Sequence, residues 1–134
     1  MSSLPELIDA IDALRPGKIL VVGDYITDRY VHGSITRLNP EAPGVIFHAE
    51  RTEDRPGGAG AVAMLCEAMG AEVVREFWHC IQPTIKERRV ADGRLMADRT
   101  DWGRVEWLTP ELERRMIADI HANRPYAAIL VADY

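Results

Sequence analysis

Three groups of residues in this chain have types and spacings suited to holding a sugar or a phosphate. The apolar run Val21-Val22-Gly23 leads into Asp24, with Asp28 four residues later, and Val131-Ala132 leads into Asp133 near the other end. An ionised aspartate only accepts hydrogen bonds, so carboxylates at such places suit sugar hydroxyls. Aspartates also cap loops and helices, and that plainer use fits the same positions. The second group is Arg55-Pro56-Gly57-Gly58-Ala59-Gly60. Opening a helix, it turns unpaired N–H groups and a positive dipole end toward an anion, yet Pro-Gly-Gly is equally an ordinary turn. The third group is cationic. With Asp92-Gly93 as a type I′ turn, residues 84–91 and 94–101 form a hairpin in which Lys86 faces Arg99. Lys86, Arg88 and Arg99 then share a face with Val90, Leu95 and Ala97, and like charges held opposite each other call for an anion between them. An exposed strand with long, solvated cations is the competing reading.

The elements that must position these residues follow from periodicity. Leu4, Leu7, Ile8, Ile11 and Leu14 predict an amphipathic helix with a Ser3–Glu6 capping box, ended by Arg15-Pro16-Gly17. Residues 18–22 read as a strand buried on both faces, expected to stop before Asp24. Residues 29–50 predict two strands leaving the main sheet as a flap, broken at Asn39-Pro40. Pro56-Gly57-Gly58 is expected to start a small-residue helix that runs to about Met69 and ends at Gly70. Strands at 71–78 and 126–132 flank the hairpin and a last helix, which opens with the N-cap Thr109 and Pro110 at N1. Helices alternating with apolar strands imply an α/β parallel sheet with a small antiparallel addition, in one domain over residues 1–134.

Composition narrows the classes. Of 134 residues, 47% are hydrophobic and 28% charged, which is ordinary for a globular chain. A net charge of -5 speaks against a nucleic-acid partner. No apolar run reaches membrane-spanning length and no secretory pattern opens the chain, so a cytoplasmic protein without membrane contact is expected. Two cysteines, Cys66 and Cys80, make neither a disulfide framework nor a zinc ribbon, and the four histidines show no metal spacing. His79-Cys80 could suggest a thiol nucleophile, but nothing beside it supports one. Trp78, Trp102 and Trp107 read as packing residues.

Several of these pieces fall in the order found in one family. Val22-Gly23-Asp24, Asp28-Arg29-Tyr30, residues 37–43, Arg55-Pro56-Gly57-Gly58-Ala59, Pro83-Thr84, Arg89, Arg99-Thr100-Asp101 and Ala132-Asp133-Tyr134 together resemble the N-terminal part of the ribokinase-like (PfkB) carbohydrate kinases. The likeness is greatest to those acting on heptose 7-phosphate in ADP-heptose biosynthesis. The resemblance implies a three-layer, Rossmann-like fold with a β flap that closes on the sugar and often helps form a homodimer. It places Asp24, Asp28, Gly57, Gly58, Arg99 and Asp101 near a sugar phosphate, and implies ATP and magnesium as the family's cofactors. Three features depart from the family: Ala61 stands where an asparagine is usual, the stretch between Val74 and Thr84 is short, and no Gly-Ala-Gly-Asp turn follows. The expectation is a sugar kinase relative truncated at its C-terminal side, without turnover or tight ATP binding by itself. It would act with a separately encoded C-terminal half, or serve as a non-catalytic sugar-phosphate-binding or dimerisation module.

Overall fold

The structure, a computed structural model, describes residues 3–13, 17–78, 84–103 and 108–133. Leu14, Arg15-Pro16, His79-Cys80, Pro83, Trp107 and Tyr134 lie outside the described residues, and no side chain is described for Leu7 or Ile11. One long strand, β1 (Lys18–Leu38), organises the rest. Its apolar start is the middle of a parallel sheet, flanked by β3 (Glu72–Trp78) and β6 (Ala128–Ala132). From Tyr25 onward β1 pairs antiparallel with β2 (Val45–Gly58). From Ile26 it also pairs in parallel with β4 (Thr84–Ala91), and β5 (Arg94–Trp102) lies antiparallel to β4. The class is therefore mixed α/β, with a parallel sheet continued by a largely antiparallel one.

The handover between the two regions lies beside Gly23. Its φ is +148°, and a Cβ there would run into the Ala132 carbonyl. Glycine meets both demands. This corrects the expected strand end at Val22: Asp24 and Asp28 lie inside β1, because the chain stays extended through the glycine and finds new partners beyond it. Pro56-Gly57-Gly58 is corrected likewise. These residues close β2, and the helix α2 (Ala59–Ala68) begins one residue later with Gly58 as its N-cap. Gly70, at φ +87°, follows the helix end and donates to the Glu67 carbonyl at 2.9 Å.

Helix α2 lies on the parallel sheet. Ala59 and Ala63 pack with Val21 and Ala132, bordered by Ile19, Val62, Val73 and Phe77. Its small residues serve this contact: a Cβ on Gly60 would stand 2.6 Å from the Tyr25 ring. Leu20, which alternation points to the other face, is also fully buried. Helix α1 (Leu4–Ala13) carries the capping box, with Ser3 N donating to Glu6 Oε2 at 2.7 Å and Glu6 N to Ser3 Oγ at 3.5 Å. Helix α3 (Pro110–Ala122) is capped by Thr109 Oγ1, which accepts from Leu112 N at 3.2 Å. Its far end is tied to β1 where Lys18 Nζ donates to the Asn123 carbonyl at 2.8 Å.

Candidate functional site

The β4–β5 hairpin turns at Asp92 (φ +49°) and Gly93 (φ +79°), both left-handed as a type I′ turn requires. Its register differs from the expected one. Ala91 opposes Arg94 and Val90 opposes Leu95, but an irregularity between Arg88 and Val90 then shifts the pairing. Arg88 opposes Arg99 and Lys86 opposes Asp101, so the expected facing of Lys86 and Arg99 is wrong. A bulge cannot be read from a turn, because the extra residues follow from twist and pairing further along the strands. Arg89, on the other face, bonds Asp98 at 2.5 Å, just where the shift occurs.

The corrected register builds an ordered charge pattern across four strands. One row reads Arg55, Asp28, Lys86, Asp101, alternating in sign from β2 to β5. The next row reads Glu53, Tyr30, Arg88, Arg99. Opposite charges side by side stabilise a sheet, whereas Arg88 and Arg99 repel. Each of these arginines is held by a carboxylate. Arg88 Nη1 donates to Asp28 Oδ1 at 2.5 Å, both side chains about three-quarters buried. Arg99 grips Asp101 with two bonds, Nε to Oδ1 at 2.6 Å and Nη2 to Oδ2 at 2.9 Å. That grip, helped by the charge of Arg99 and more distantly of Lys86 and Arg88, holds the Asp101 carboxyl below the usual range. Asp101 raises the Arg99 guanidinium in turn, and the charge of Asp28 adds to it. Asp28 is thus electrostatically part of both arginine sites.

Tyr30 belongs to this cluster although the sequence reading did not include it among the site residues. The Arg55 guanidinium lies 5.0 Å from its ring centre and that of Arg88 5.7 Å, so two cations share one aromatic ring. The signal was the spacing of two between Asp28, Tyr30 and His32, which puts all three on one strand face. Glu53 completes the second row. It accepts from Arg55 Nε at 2.6 Å, and this bond above all keeps its carboxyl below the usual range.

Gly57 sits against the same cluster: a Cβ there would lie 2.5 Å from Asp28 Oδ2. Gly58, at φ +55°, packs on the main-chain oxygen of Asp24. Asp28, Gly57, Lys86, Arg88, Arg99 and Asp101 are therefore brought together on the flap sheet, with Gly58 and Asp24 at its junction with the parallel sheet. Asp133 follows β6 one residue beyond the Gly23–Ala132 pair, exposed at the same junction. Asp24 and Asp133 each lie one residue beyond the Gly23–Ala132 pair.

With this arrangement established, similarity to known proteins becomes informative. The bifunctional protein HldE of Shewanella sediminis is 30% identical over 152 aligned positions, which take in 93% of this chain and 31% of that protein. HldE of Stutzerimonas stutzeri is 53% identical over 109 positions, covering 63% of this chain and 23% of the relative. This chain is related to part of HldE. A third HldE, from Nitrosococcus oceani, is 54% identical over 56 residues, 42% of this chain and 12% of the relative. The chain thus spans less than a third of the length of these HldE proteins. The 152 aligned positions exceed the 134 residues of the chain, so the Shewanella HldE holds residues with no counterpart here. No family model matches the chain. A solved carbohydrate kinase from Agrobacterium tumefaciens overlays with a TM-score of 0.34 at 18% identity, over 64% of this chain and 35% of that one.

Among the described residues no three His, Cys, Asp or Glu side chains come together as metal ligands. A protein-built cage for magnesium is therefore not found among them. No helix among the described residues is long and apolar enough to cross a membrane.

Proposed function

We propose that this chain is the sugar-phosphate-holding part of a carbohydrate kinase of the heptose 7-phosphate type. The phosphate sits over Arg88 and Arg99 with Lys86 beside them, and sugar hydroxyls are accepted by Asp28 and Asp24 next to Gly57 and Gly58. The observation that carries this reading is that two arginines, Arg88 and Arg99, stand opposite each other in register on the charged face. A dianion between them relieves their repulsion and accepts charge-assisted bonds from both. The relationship to HldE points to the same ligand class.

The site offers acceptors as well as donors, which suits a ligand with hydroxyls and an anionic end. Ala61, in the first turn of α2, brings only a methyl group where the related kinases carry an amide, so the sugar is held less tightly. Phosphoryl transfer demands an oriented nucleophile and charge stabilisation at the transferred group. The 134 residues contain no Gly-Ala-Gly-Asp turn to supply them. We therefore expect binding without turnover from these residues alone, and transfer only where another chain or segment supplies that turn.

Calorimetric titration with heptose 7-phosphate, ribose 5-phosphate and ATP-magnesium tests both statements. Sugar-phosphate binding without ATP binding is the expected result. Tight ATP binding with turnover, or indifference to both sugar phosphates, would overturn the reading. Replacing both Lys86 and Arg99 by Ser should abolish sugar-phosphate binding while the circular dichroism stays unchanged.

A further inference from the structure

We propose that His32 gates the anion site by its charge: once protonated, it takes up the Glu53 carboxylate and releases Arg55 as a further guanidinium for the phosphate. The proposal rests on the sugar-phosphate reading and adds the regulation of that same site. His32 follows Asp28 and Tyr30 on one face of β1. Its Nε2 is buried and makes no hydrogen bond among the described residues, although Glu53 Oε2 stands 3.4 Å away. A buried polar atom left in this state calls for an explanation. A charged imidazole supplies one, because both ring nitrogens then donate and a carboxylate at that distance needs only a small turn to accept.

Glu53 is a shared carboxylate. Its Oε1 accepts from Arg55 Nε at 2.6 Å, while its Oε2 lies 3.4 Å from His32 Nε2 and 3.5 Å from Arg51 Nη1. Across the sheet His32 faces Arg51 on β2 and Val90 on β4. Arg88 comes two residues before Val90, Tyr30 and Ser34 flank His32 along β1, and Glu50 accepts from Ser34 Oγ at 3.3 Å. With His32 neutral, Glu53 stands against two arginines. With His32 charged, the same carboxylate stands against three cations. Of the two arginines, Arg55 is the one beside the anion site, 5.0 Å from the Tyr30 ring centre that Arg88 also approaches. Its side chain is 60% exposed, which gives the guanidinium room to turn from Glu53 to a ligand. Imidazole changes charge between about pH 5 and 8, so the gate works near neutrality. An anion that prefers the charged form is held more tightly as pH falls.

Titration calorimetry with heptose 7-phosphate near pH 8 and again near pH 6.5 tests the gate, with the His32→Gln chain measured beside the unsubstituted one. Comparing the two chains at each pH cancels the protonation of the phosphate itself. On acidification the unsubstituted chain should gain roughly fivefold more affinity than His32→Gln, the low end of ordinary coupling between sites. Glu53→Gln should hold the gate open: it should bind more tightly than the unsubstituted chain near pH 8 and lose most of the gain on acidification. A readout without ligand is the Arg55 Nε–H signal in nitrogen-15 NMR. Its protection from solvent exchange should fall between the two pH values in the unsubstituted chain and persist in His32→Gln. Equal pH dependence in both chains, weaker binding by Glu53→Gln, or an Arg55 signal indifferent to pH would each overturn the gate. An Arg55 signal that responds as expected, with no heptose 7-phosphate binding at either pH, would uphold the gate and remove the sugar-phosphate reading instead.

Discussion

Arg88 shows how one side chain can serve both fold and site. It bonds Asp28 on the neighbouring strand and covers the ring of Tyr30, and it stands opposite Arg99. Arg88→Met should leave the Asp28 carboxylate largely buried without its partner, costing about 1–3 kcal/mol in urea unfolding. Adding Asp28→Asn should return part of that loss. A double variant no more stable than Arg88→Met would show that the pair is not coupled. Two glycines beside the pair are constrained for different reasons. Gly58→Ala forces a side chain into a positive-φ conformation against the Asp24 carbonyl and should cost about 1–3 kcal/mol. Gly57→Ala keeps the backbone and displaces the Asp28 carboxyl instead, so it should weaken sugar-phosphate binding more than it weakens the fold. Equal losses from both substitutions, in stability and in binding, would refute that division.

At the scale of elements the flap sheet is laced with ion pairs between its strands and along them. Arg29 holds Asp54 with two bonds of 2.8 Å, Arg55 holds Glu53, and Arg99 holds Asp101. Hydrogen bonds from these arginines keep all three carboxyls below their ordinary values in the folded chain. The unfolded chain therefore binds more protons through the carboxylate range, and stability rises with pH there. The contribution is complete above the unfolded values, about 3.9 for Asp and 4.3 for Glu, and is lost as pH falls through the lower folded values. Acid titration followed by amide exchange should open the flap strands at low pH before the parallel sheet. Asp54→Asn with Asp101→Asn should flatten that pH dependence. An acid transition starting in β3 and β6 would contradict this account.

For the whole molecule the governing fact is that one strand serves two sheets. β3 ends opposite Asp24 and β4 begins opposite Ile26, so both run along β1 one after the other. Only residues 79–83 separate them in sequence. The flap is thereby joined to the parallel sheet by β1, and also by β2, which passes directly into α2. Restoring the amide at the start of α2 tests whether sugar affinity is limited by one residue. Ala61→Asn should tighten sugar-phosphate binding by roughly fivefold, the effect of about one net hydrogen bond. An unchanged dissociation constant would place the limitation elsewhere.

The sequence by itself determined the local elements and the kinship. Capping residues marked α1 and α3, Asp92-Gly93 marked the hairpin, and apolar runs marked the strands, because each depends on neighbours in the chain. The order of motifs pointed to sugar kinases, and the similarity to HldE agrees. Tertiary structure alone decided that Asp24 and Asp28 lie within a strand, since an extended chain continues only if new partners await it past Gly23. It alone decided that Arg88, not Lys86, opposes Arg99, since a bulge depends on twist between paired strands. The stack of Arg55, Tyr30 and Arg88 also appears only in the fold, where residues on three different strands share one sheet face.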